Sequence, residues 1–276
     1  MRALAAACEA GGQQDLKLVL REREEGHVPS QFLAVAGGAV VGYAGADQGQ
    51  DVEICGMVHP AHRRRGIGGS LLEATLGAAA QMGRETALVI CEEAGPVALE
   101  WMRRRGGELD SSELRMVLRL GNRADDRRDG QALPGVELRR STAADRRVLR
   151  HLLEEGFPGT DDATLDMMLS RHDEVQEQSL MAWDGDLAVG TMRVVDFPGR
   201  SMVYGLVIDS AVRGRGFGSA AMRAALDQMR QRGVPEVSLE VLPDNTPAVR
   251  LYTALGFRTV TTYRYMRVGT DRVSAD

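Results

Sequence analysis

A carboxylate, an amide and a phenol occur close together in the segment LEVLPDNTPAVRLYTALGF. Glu240 lies in VSLEVL, a predicted strand, and Tyr252 lies on the predicted helix that follows it. Asn245 lies at the turn between them, where either it or Asp244 is placed to cap the helix. A carboxylate can accept a proton and a phenol can donate one. The segment therefore supplies one candidate base and one candidate acid.

Structural interpretations of both side chains stay open at this point. A tyrosine on an amphipathic helix often packs in the core with only its hydroxyl in water. A glutamate on an edge strand can be a surface residue, because alternation leaves one face of any strand available. Asp209 and Tyr204, near the other central strand, are alternative bases.

A glycine-rich loop lies between an apolar strand and an amphipathic helix upstream of this segment. Gly214, Gly216 and Gly218 remove side chains where the backbone must turn and approach a ligand closely. The helix behind the loop presents unpaired N–H groups and the positive end of its dipole. Together with the guanidinium groups of Arg213 and Arg215, these features predict an anion site.

Phosphate ligands differ in the loops that they require. Nucleoside triphosphate loops contain GxxxxGK followed by Ser or Thr, a motif that this sequence does not contain. A dinucleotide fold places GxGxxG after its first strand, whereas this loop follows the fourth strand of its unit and its third glycine comes too early. Coenzyme A is the remaining common diphosphate ligand. The other interpretation is a strand-to-helix turn that binds nothing.

The sequence repeats itself at a spacing of 150 residues, at which HRRRGIGG matches VRGRGFGS and Met116 matches Met266. A match that extends from a loop to a late strand is not expected by chance. The charged segment 121–135 contains Gly and Pro without apolar periodicity and is predicted to be a linker. We therefore predict an N-terminal domain at 1–120 and a C-terminal domain at 136–276.

These motifs resemble the GNAT acetyltransferase superfamily, whose signature is Arg/Gln-x-x-Gly-x-Gly/Ala. The resemblance covers nearly all of residues 136–276 and most of 30–120. It implies an α/β (α+β) protein of two tandem GNAT folds, each with a mixed, mostly antiparallel central sheet flanked by helices. It also implies an acyl-CoA-dependent N-acyltransferase with acetyl-CoA as co-substrate, in which a primary amine attacks directly within a ternary complex.

The resemblance also implies roles for individual residues of the second half. Glu240 becomes the base, often acting through water, and Tyr252 becomes the acid that protonates the CoA sulfur. The loop amides bind the diphosphate, and the preceding strand end pairs with the pantetheine arm like an added strand. The residues expected to bind the co-substrate are Val207, Ile208, Arg213, Gly214, Arg215, Gly216, Phe217, Gly218, Ser219 and Asn245.

The first half keeps the loop but loses the acid. At the 150-residue spacing, Met102, Gly95 and Ile90 stand at the positions of the tyrosine, the asparagine and the glutamate. Glu53, on the strand before the first loop, is a candidate base of another GNAT type. This half is interpreted as a silent structural domain, as a domain that binds CoA without turnover, or as one wall of the acceptor pocket. Its candidate CoA site consists of Val58, Arg63, Arg65, Gly66, Gly68 and Gly69.

Composition limits the classes of binding partner and the cellular compartment that we expect for this protein. The formal net charge of −5 argues against nucleic acid, because binding to phosphates needs a basic face. The sequence contains no signal-peptide core and no apolar stretch of about 18 residues for a membrane helix. Three cysteines without CxxC spacing fit a reducing compartment, so we predict a cytoplasmic protein. No metal is expected, because metal-ligand spacing is missing among His27, His59, His62, His151 and His172.

The nature of the acceptor stays open. The block around Glu240 is most similar to that of ribosomal-protein alanine N-acetyltransferases, which favours a protein N-terminal amine. The second domain is also similar to the working half of tandem enzymes that acetylate small amino-sugar thiols, which favours a small molecule. Acceptor choice is expected to lie in residues 143–172 and near the Phe197-Pro198 turn. A non-catalytic acyl-CoA-binding module is the alternative to an enzyme, and both a monomer and a homodimer are compatible.

Overall fold

A computed structural model describes residues 1–11, 17, 30–48, 51–93, 96–121, 134–170 and 177–271. Contacts between Cα atoms divide the chain into two compact units. The first unit consists of Met1–Glu113 and Thr261–Asp276, and the second unit consists of Leu114–Val260. Most of the predicted linker, 121–135, lies outside the described residues.

In the first unit, helices accompany five neighbouring strands of a β-sheet. Its elements are α1 (Arg2–Ala10), β1 (Gln31–Ala36), β2 (Ala39–Gln48), β3 (Val52–Val58), α2 (Ile67–Gln81), β4 (Thr86–Glu92), α3 (Pro96–Arg104), the start of β5 (Glu108–Arg119) and most of β11 (Arg258–Gly269). The strands β1, β2 and β3 pair antiparallel, β3 and β4 pair parallel, and β4 pairs antiparallel with β11.

The second unit repeats this order of pairings and begins with a strand and two helices, whereas the described part of the first unit begins with α1. Its further elements are β6 (Glu137–Arg140), α4 (Arg146–Gly156), α5 (Asp162–Ser170), β7 (Glu177–Asp184), β8 (Leu187–Phe197), β9 (Arg200–Ile208), α6 (Phe217–Gln231), β10 (Glu236–Val241) and α7 (Thr246–Ala254). The strands β6 to β9 pair antiparallel in sequence order, β9 and β10 pair parallel, and β10 pairs antiparallel with β5. The predicted fold, a mixed and mostly antiparallel sheet flanked by helices in each copy, is confirmed.

One strand of each unit comes from the other half of the sequence. Residues 114–119 of β5 complete the sheet of the second unit, and residues 263–269 of β11 complete that of the first. The units thus divide the chain differently from the predicted domains, 1–120 and 136–276. The repeat explains this difference, because Met116 and Met266 occupy equivalent positions in the two halves. Met116, from the first half of the sequence, packs in the core of the second unit, and Met266, from the second half, packs in the core of the first unit. Alternation identifies a strand without identifying its neighbour.

The sheet of the second unit is covered on both faces. Val237, Leu239 and Val241 of β10 pack in one core with residues of α6 and α7. The opposite face carries α4 and α5, whose leucines pack against Met181 and Val207. Alternation along β10 therefore decides which face each candidate residue takes.

Candidate active site

The strands β9 and β10 pair over only a short stretch. Their last parallel pair is Val203 with Leu239, beyond which their described pairing ends. Gly205 follows with a φ of +56°, where the register of β9 against β8 shifts. Such a bulge bends a strand and takes one residue out of the ladder. Residues 205–208 thus lie beyond the described pairing of β9 with β10, and the pairing of Val207 and Ile208 with an extended ligand arm stays a prediction.

Close packing of β8 on the end of β9 makes Gly190 a testable position. A Cβ there would lie 2.4 Å from the carbonyl oxygen of Val207 and 2.8 Å from Ile208 Cδ1. Because the first contact is with backbone, the strand must shift, and we expect Gly190→Ala to lower the free energy of unfolding by about 1–3 kcal/mol. Chemical denaturation measures this change. Gly77→Ala is the control, since nothing lies within 4 Å of a Cβ at Gly77, and equal stabilities of the two variants would contradict the contact.

The glycine-rich loop ends at the start of α6. Gly216 has a φ of +89° and accepts the first helical hydrogen bond, from Ala220 N at 3.0 Å. The amides of Phe217, Gly218 and Ser219 precede that bond and have no partner inside the helix. Three N–H groups at the positive end of a helix suit an anion. The loop thus suits an anionic ligand, and its contact with the diphosphate of CoA stays a prediction.

Arg213 joins this loop to the end of β9. Its Nε donates to the carbonyl oxygen of Ile208 at 2.8 Å, and its Nη2 lies 3.8 Å from a carboxylate oxygen of Glu155. Glu155 also accepts from the amide and the hydroxyl of Ser210, and these bonds lower the pKa of its carboxyl. The sequence did not predict this anchoring role, and the phosphate contacts of Arg213 and Arg215 stay predictions.

The phenol of Tyr252 lies in the core face of α7. The residue is 7% exposed, and its ring meets that of Phe257 edge-on at a centroid distance of 5.9 Å. Burial raises the pKa of Tyr252 to about 12. A phenol with this pKa stays protonated at neutral pH, so it can donate a proton to a departing thiolate.

Three parts of the candidate site meet at Gly218. From the position that a Cβ on this residue would take, Leu251 Cδ1 lies 2.9 Å away and Ile208 Cγ1 lies 3.6 Å away. Leu251 precedes Tyr252 on α7, and Ile208 ends β9. The loop, the strand end and the helix that carries the phenol are therefore packed against one another.

Asn245 caps α7, in agreement with the capping role predicted for it or Asp244. Its Oδ1 accepts a hydrogen bond from Ala248 N at 3.3 Å. The contact with CoA that was also expected of Asn245 stays a prediction.

Two substitutions of Asn245 separate capping from binding. We expect Asn245→Ala to lower stability by about 1 kcal/mol through loss of the cap, whereas Asn245→Asp keeps a capping oxygen and most of the stability. If the amide also contacts CoA, the KM for acetyl-CoA rises in both variants, because an aspartate repels phosphate. Thermal unfolding and initial rates measure the two effects. If the KM for acetyl-CoA is unchanged in both variants, Asn245 does not contact CoA.

Glu240 lies half-buried on the face of β10 that is opposite to its core residues. Its partner across the antiparallel pair is Arg115 on β5, which is 7% exposed. Arg115 was not predicted as a site residue, because it lies in the half of the chain that was assigned to the other domain. The signal that could have found it is the apolar strand pattern LRMVL, in which the second residue is charged.

The two alternative bases have different surroundings. Asp209 Oδ1 accepts a hydrogen bond from Ala211 N at 2.8 Å and caps a short 3-10 turn. Tyr204 precedes the bulge, and the guanidinium carbon of Arg193 lies 4.9 Å from its ring centroid. Tyr204 thus directly follows the last parallel pair of β9 and β10, whereas Asp209 is engaged in the turn.

The loop of the first unit has the same backbone design. Gly66 begins α2 with a φ of +81°, and Ser70 N donates to its carbonyl oxygen. Arg63 Nε donates to the carbonyl oxygen of Val58 at 3.0 Å. Arg64 takes a φ of +61° where the second loop has a glycine. The candidate residues Arg65, Gly68 and Gly69 lie in this same loop and first helical turn.

The first unit differs from the second at the positions of the chemistry. Met102 is fully buried in its core, and Ile90 packs with tyrosines of β11. The strands β2 and β3 pair in one continuous register, so the bulge of the second unit is not repeated there. Burial, more than any neighbouring charge, raises the pKa of Glu53.

The described residues contain neither a cluster of metal-ligand side chains nor a membrane-spanning helix. Among them, no group of three or more His, Cys, Asp or Glu side chains is placed to hold a metal ion. Within the same residues, every helix is too short or too polar to cross a bilayer.

Comparisons with known proteins identify relatives over most of the chain. The sequence model of the acetyltransferase (GNAT) family matches residues 2–106 and 146–257. A mycothiol acetyltransferase of Corynebacterium glutamicum is 30% identical, over 86% of this chain and 81% of the relative. One of Actinosynnema mirum is 32% identical, over 93% and 90%. The crystal structure of a GCN5-related N-acetyltransferase from Sphaerobacter thermophilus superposes with a TM-score of 0.73 at 24% identity, over 98% of this chain and 91% of that one.

Proposed function

Since the chain belongs to the GNAT acetyltransferase family, we propose that its second unit transfers the acetyl group of acetyl-CoA to the primary amine of a small acceptor. The observation that carries this proposal is the meeting of three parts at Gly218: the glycine-rich loop, the end of β9, and the helix of Tyr252. The first unit is proposed to be catalytically silent, since Met102 replaces the phenol.

The second unit supplies a proton acceptor and a proton donor from opposite faces of its sheet. Glu240 takes the proton of the attacking amine, directly or through water, as the new C–N bond forms. Tyr252 gives its proton to the sulfur as the C–S bond breaks, and its phenolate is then reprotonated from solvent. The opening between β9 and β10 lies between the two faces, which supports this division of roles.

The acceptor is proposed to be the amine of a small amino-sugar thiol. Support comes from the names of relatives that match over most of their own length, mycothiol acetyltransferases. The protein N-terminal amine is the second candidate class, favoured by the block LEV…N…LY…GF around Glu240. Buried thiols at Cys8 and Cys91 support a reducing, cytoplasmic location.

A thiol-release assay with acetyl-CoA tests the proposal. Amino-sugar thiols, simple amines and peptides with free N-termini are compared, with thiol acceptors followed by mass spectrometry of the acetylated product. We expect the highest kcat/KM with an amino-sugar thiol. Fastest turnover of a peptide would move the acceptor to the second class. Saturable binding of CoA without transfer of the acetyl group to any acceptor would favour the alternative function, a non-catalytic acyl-CoA-binding module.

A further inference from the structure

Four polar side chains, from Arg115, Glu240, Tyr204 and Arg193, lie in one row across adjacent strands of the second unit. Glu240 is opposite Arg115, and Tyr204 is opposite Arg193. Glu240 and Tyr204 each follow the last parallel pair of β9 and β10, where the two strands stop pairing. Residues opposite one another on paired strands share a face. The row therefore lies across the opening, on the face away from α6 and α7.

The surroundings of Arg115 call for an anionic partner. The residue is 7% exposed, and a guanidinium at that depth is costly unless it is paired and hydrogen-bonded. Glu240 is the carboxylate directly opposite it. The other titratable or charged groups on this face of the neighbouring strands are Tyr204 and Arg193 in the row, Glu236 on β10, and Glu113 and Arg119 on β5.

At this position the strand exchange pairs the two charged residues with each other and the two uncharged residues with each other. In the second unit the pair is Glu240 with Arg115, and at the equivalent position of the first unit it is Ile90 with Tyr265. If each half kept its own strand, the 150-residue repeat would put Arg115 opposite Ile90 and Tyr265 opposite Glu240. That arrangement would bury a guanidinium against an aliphatic side chain. The exchange thus delivers the arginine to the one of the two sites that has a carboxylate.

We propose that Arg115 is a positioning residue for Glu240, so that the reaction of the second unit depends on a side chain drawn from the first half of the sequence. The inference rests on the proposed function, in which Glu240 is the base. The guanidinium fixes the direction of the carboxylate toward the opening and supplies the opposite charge that a half-buried carboxylate requires. Without it, the carboxylate would lie half-buried beside Tyr204 with less to stabilise its charge.

The test is the pH profile of kcat/KM for the acceptor at saturating acetyl-CoA, in the full-length protein. In Arg115→Met we expect the acidic limb to move to higher pH, because the variant lacks the positive charge that favours an ionised carboxyl group beside it. The loss of activity is therefore confined to the acidic side of the profile and recovers as the pH rises, whereas Arg115→Lys keeps the limb in place. Arg119→Met is the matched control, because Arg119 is also opposite a glutamate on β10 but its side chain is 90% exposed.

Each outcome supports or overturns the inference. A loss that is equal at every pH would show a structural role only and would overturn it, as would an unshifted profile. Arg115→Gln is judged by the same criterion if Arg115→Met does not fold. Adding Arg115→Met to Glu240→Gln should cost little further activity, whereas full additivity would contradict the coupling. If the wild-type protein releases no thiol, the proposed function and this inference are both wrong. If the wild type is active but the pH profiles of the Arg115 variants are unshifted, only this inference is wrong.

Discussion

Replacement of Tyr252 by phenylalanine should lower kcat by at least about tenfold and leave the affinity for acetyl-CoA nearly unchanged. A positioned general acid contributes about 10²–10⁴ in rate, and water can replace part of that contribution. The ring that packs on Phe257 is kept, so the fold should be unaffected. Because burial raises the pKa of Tyr252 to about 12, its deprotonation should add no basic limb to the profile below about pH 10. Steady-state kinetics and isothermal titration with CoA measure the two quantities.

Tyr43→Phe is the matched control for Tyr252. Tyr43 is buried in the first unit, and burial raises its pKa to about 12 as well. Its hydroxyl lies 3.2 Å from Gln31 Oε1, so the variant should lose about 1 kcal/mol of stability and keep its turnover. If Tyr252→Phe retains full turnover, Tyr252 has no part in the proton transfer. If both variants lose turnover alike, the effect reflects packing instead.

Gly216→Val should raise the KM for acetyl-CoA about 100-fold or more. A β-branched residue is strained at a φ of +89°, and its methyl groups would project where the loop amides must reach the diphosphate. The loss of two charge-assisted hydrogen bonds, at about 1.5–3 kcal/mol each, corresponds to that factor or more. Direct titration with CoA measures the affinity without dependence on the acceptor.

Gly233→Val separates strain from ligand binding. Gly233 follows the other end of α6 with a φ of +74°, and nothing lies within 4 Å of a Cβ there. Both variants should therefore lose similar stability, while only Gly216→Val loses affinity for CoA. Undiminished CoA affinity in Gly216→Val would show that the diphosphate does not lie on this loop, and the proposed enzyme would lose its co-substrate site.

Local spacing predicted the parts of the site that depend on neighbours in sequence. The glycines at 214, 216 and 218 predicted the strand-to-helix loop, and Asn245 predicted the start of α7. These features follow from backbone conformation and from helix capping, which act over a few residues. The 150-residue repeat likewise predicted two copies of one fold.

Features that depend on pairing between distant segments could not be predicted from the sequence. The bulge at Gly205 exists only relative to β8, and the position of Arg115 exists only relative to Glu240. In each case the residue type was informative, but its partner was decided by strand register, which local propensities do not encode.

The exchange of β5 and β11 also affects how this chain can fold during its synthesis. The open edge of β4 receives its partner, Tyr263–Gly269, only after the whole second unit has been translated. Until that stretch of nascent chain leaves the ribosome, Leu88 and Ile90 are deprived of the tyrosines that cover them. An uncovered apolar strand edge is a site of aggregation. A pause in translation near the 3′ end of the message would therefore prolong the period in which the nascent chain can aggregate.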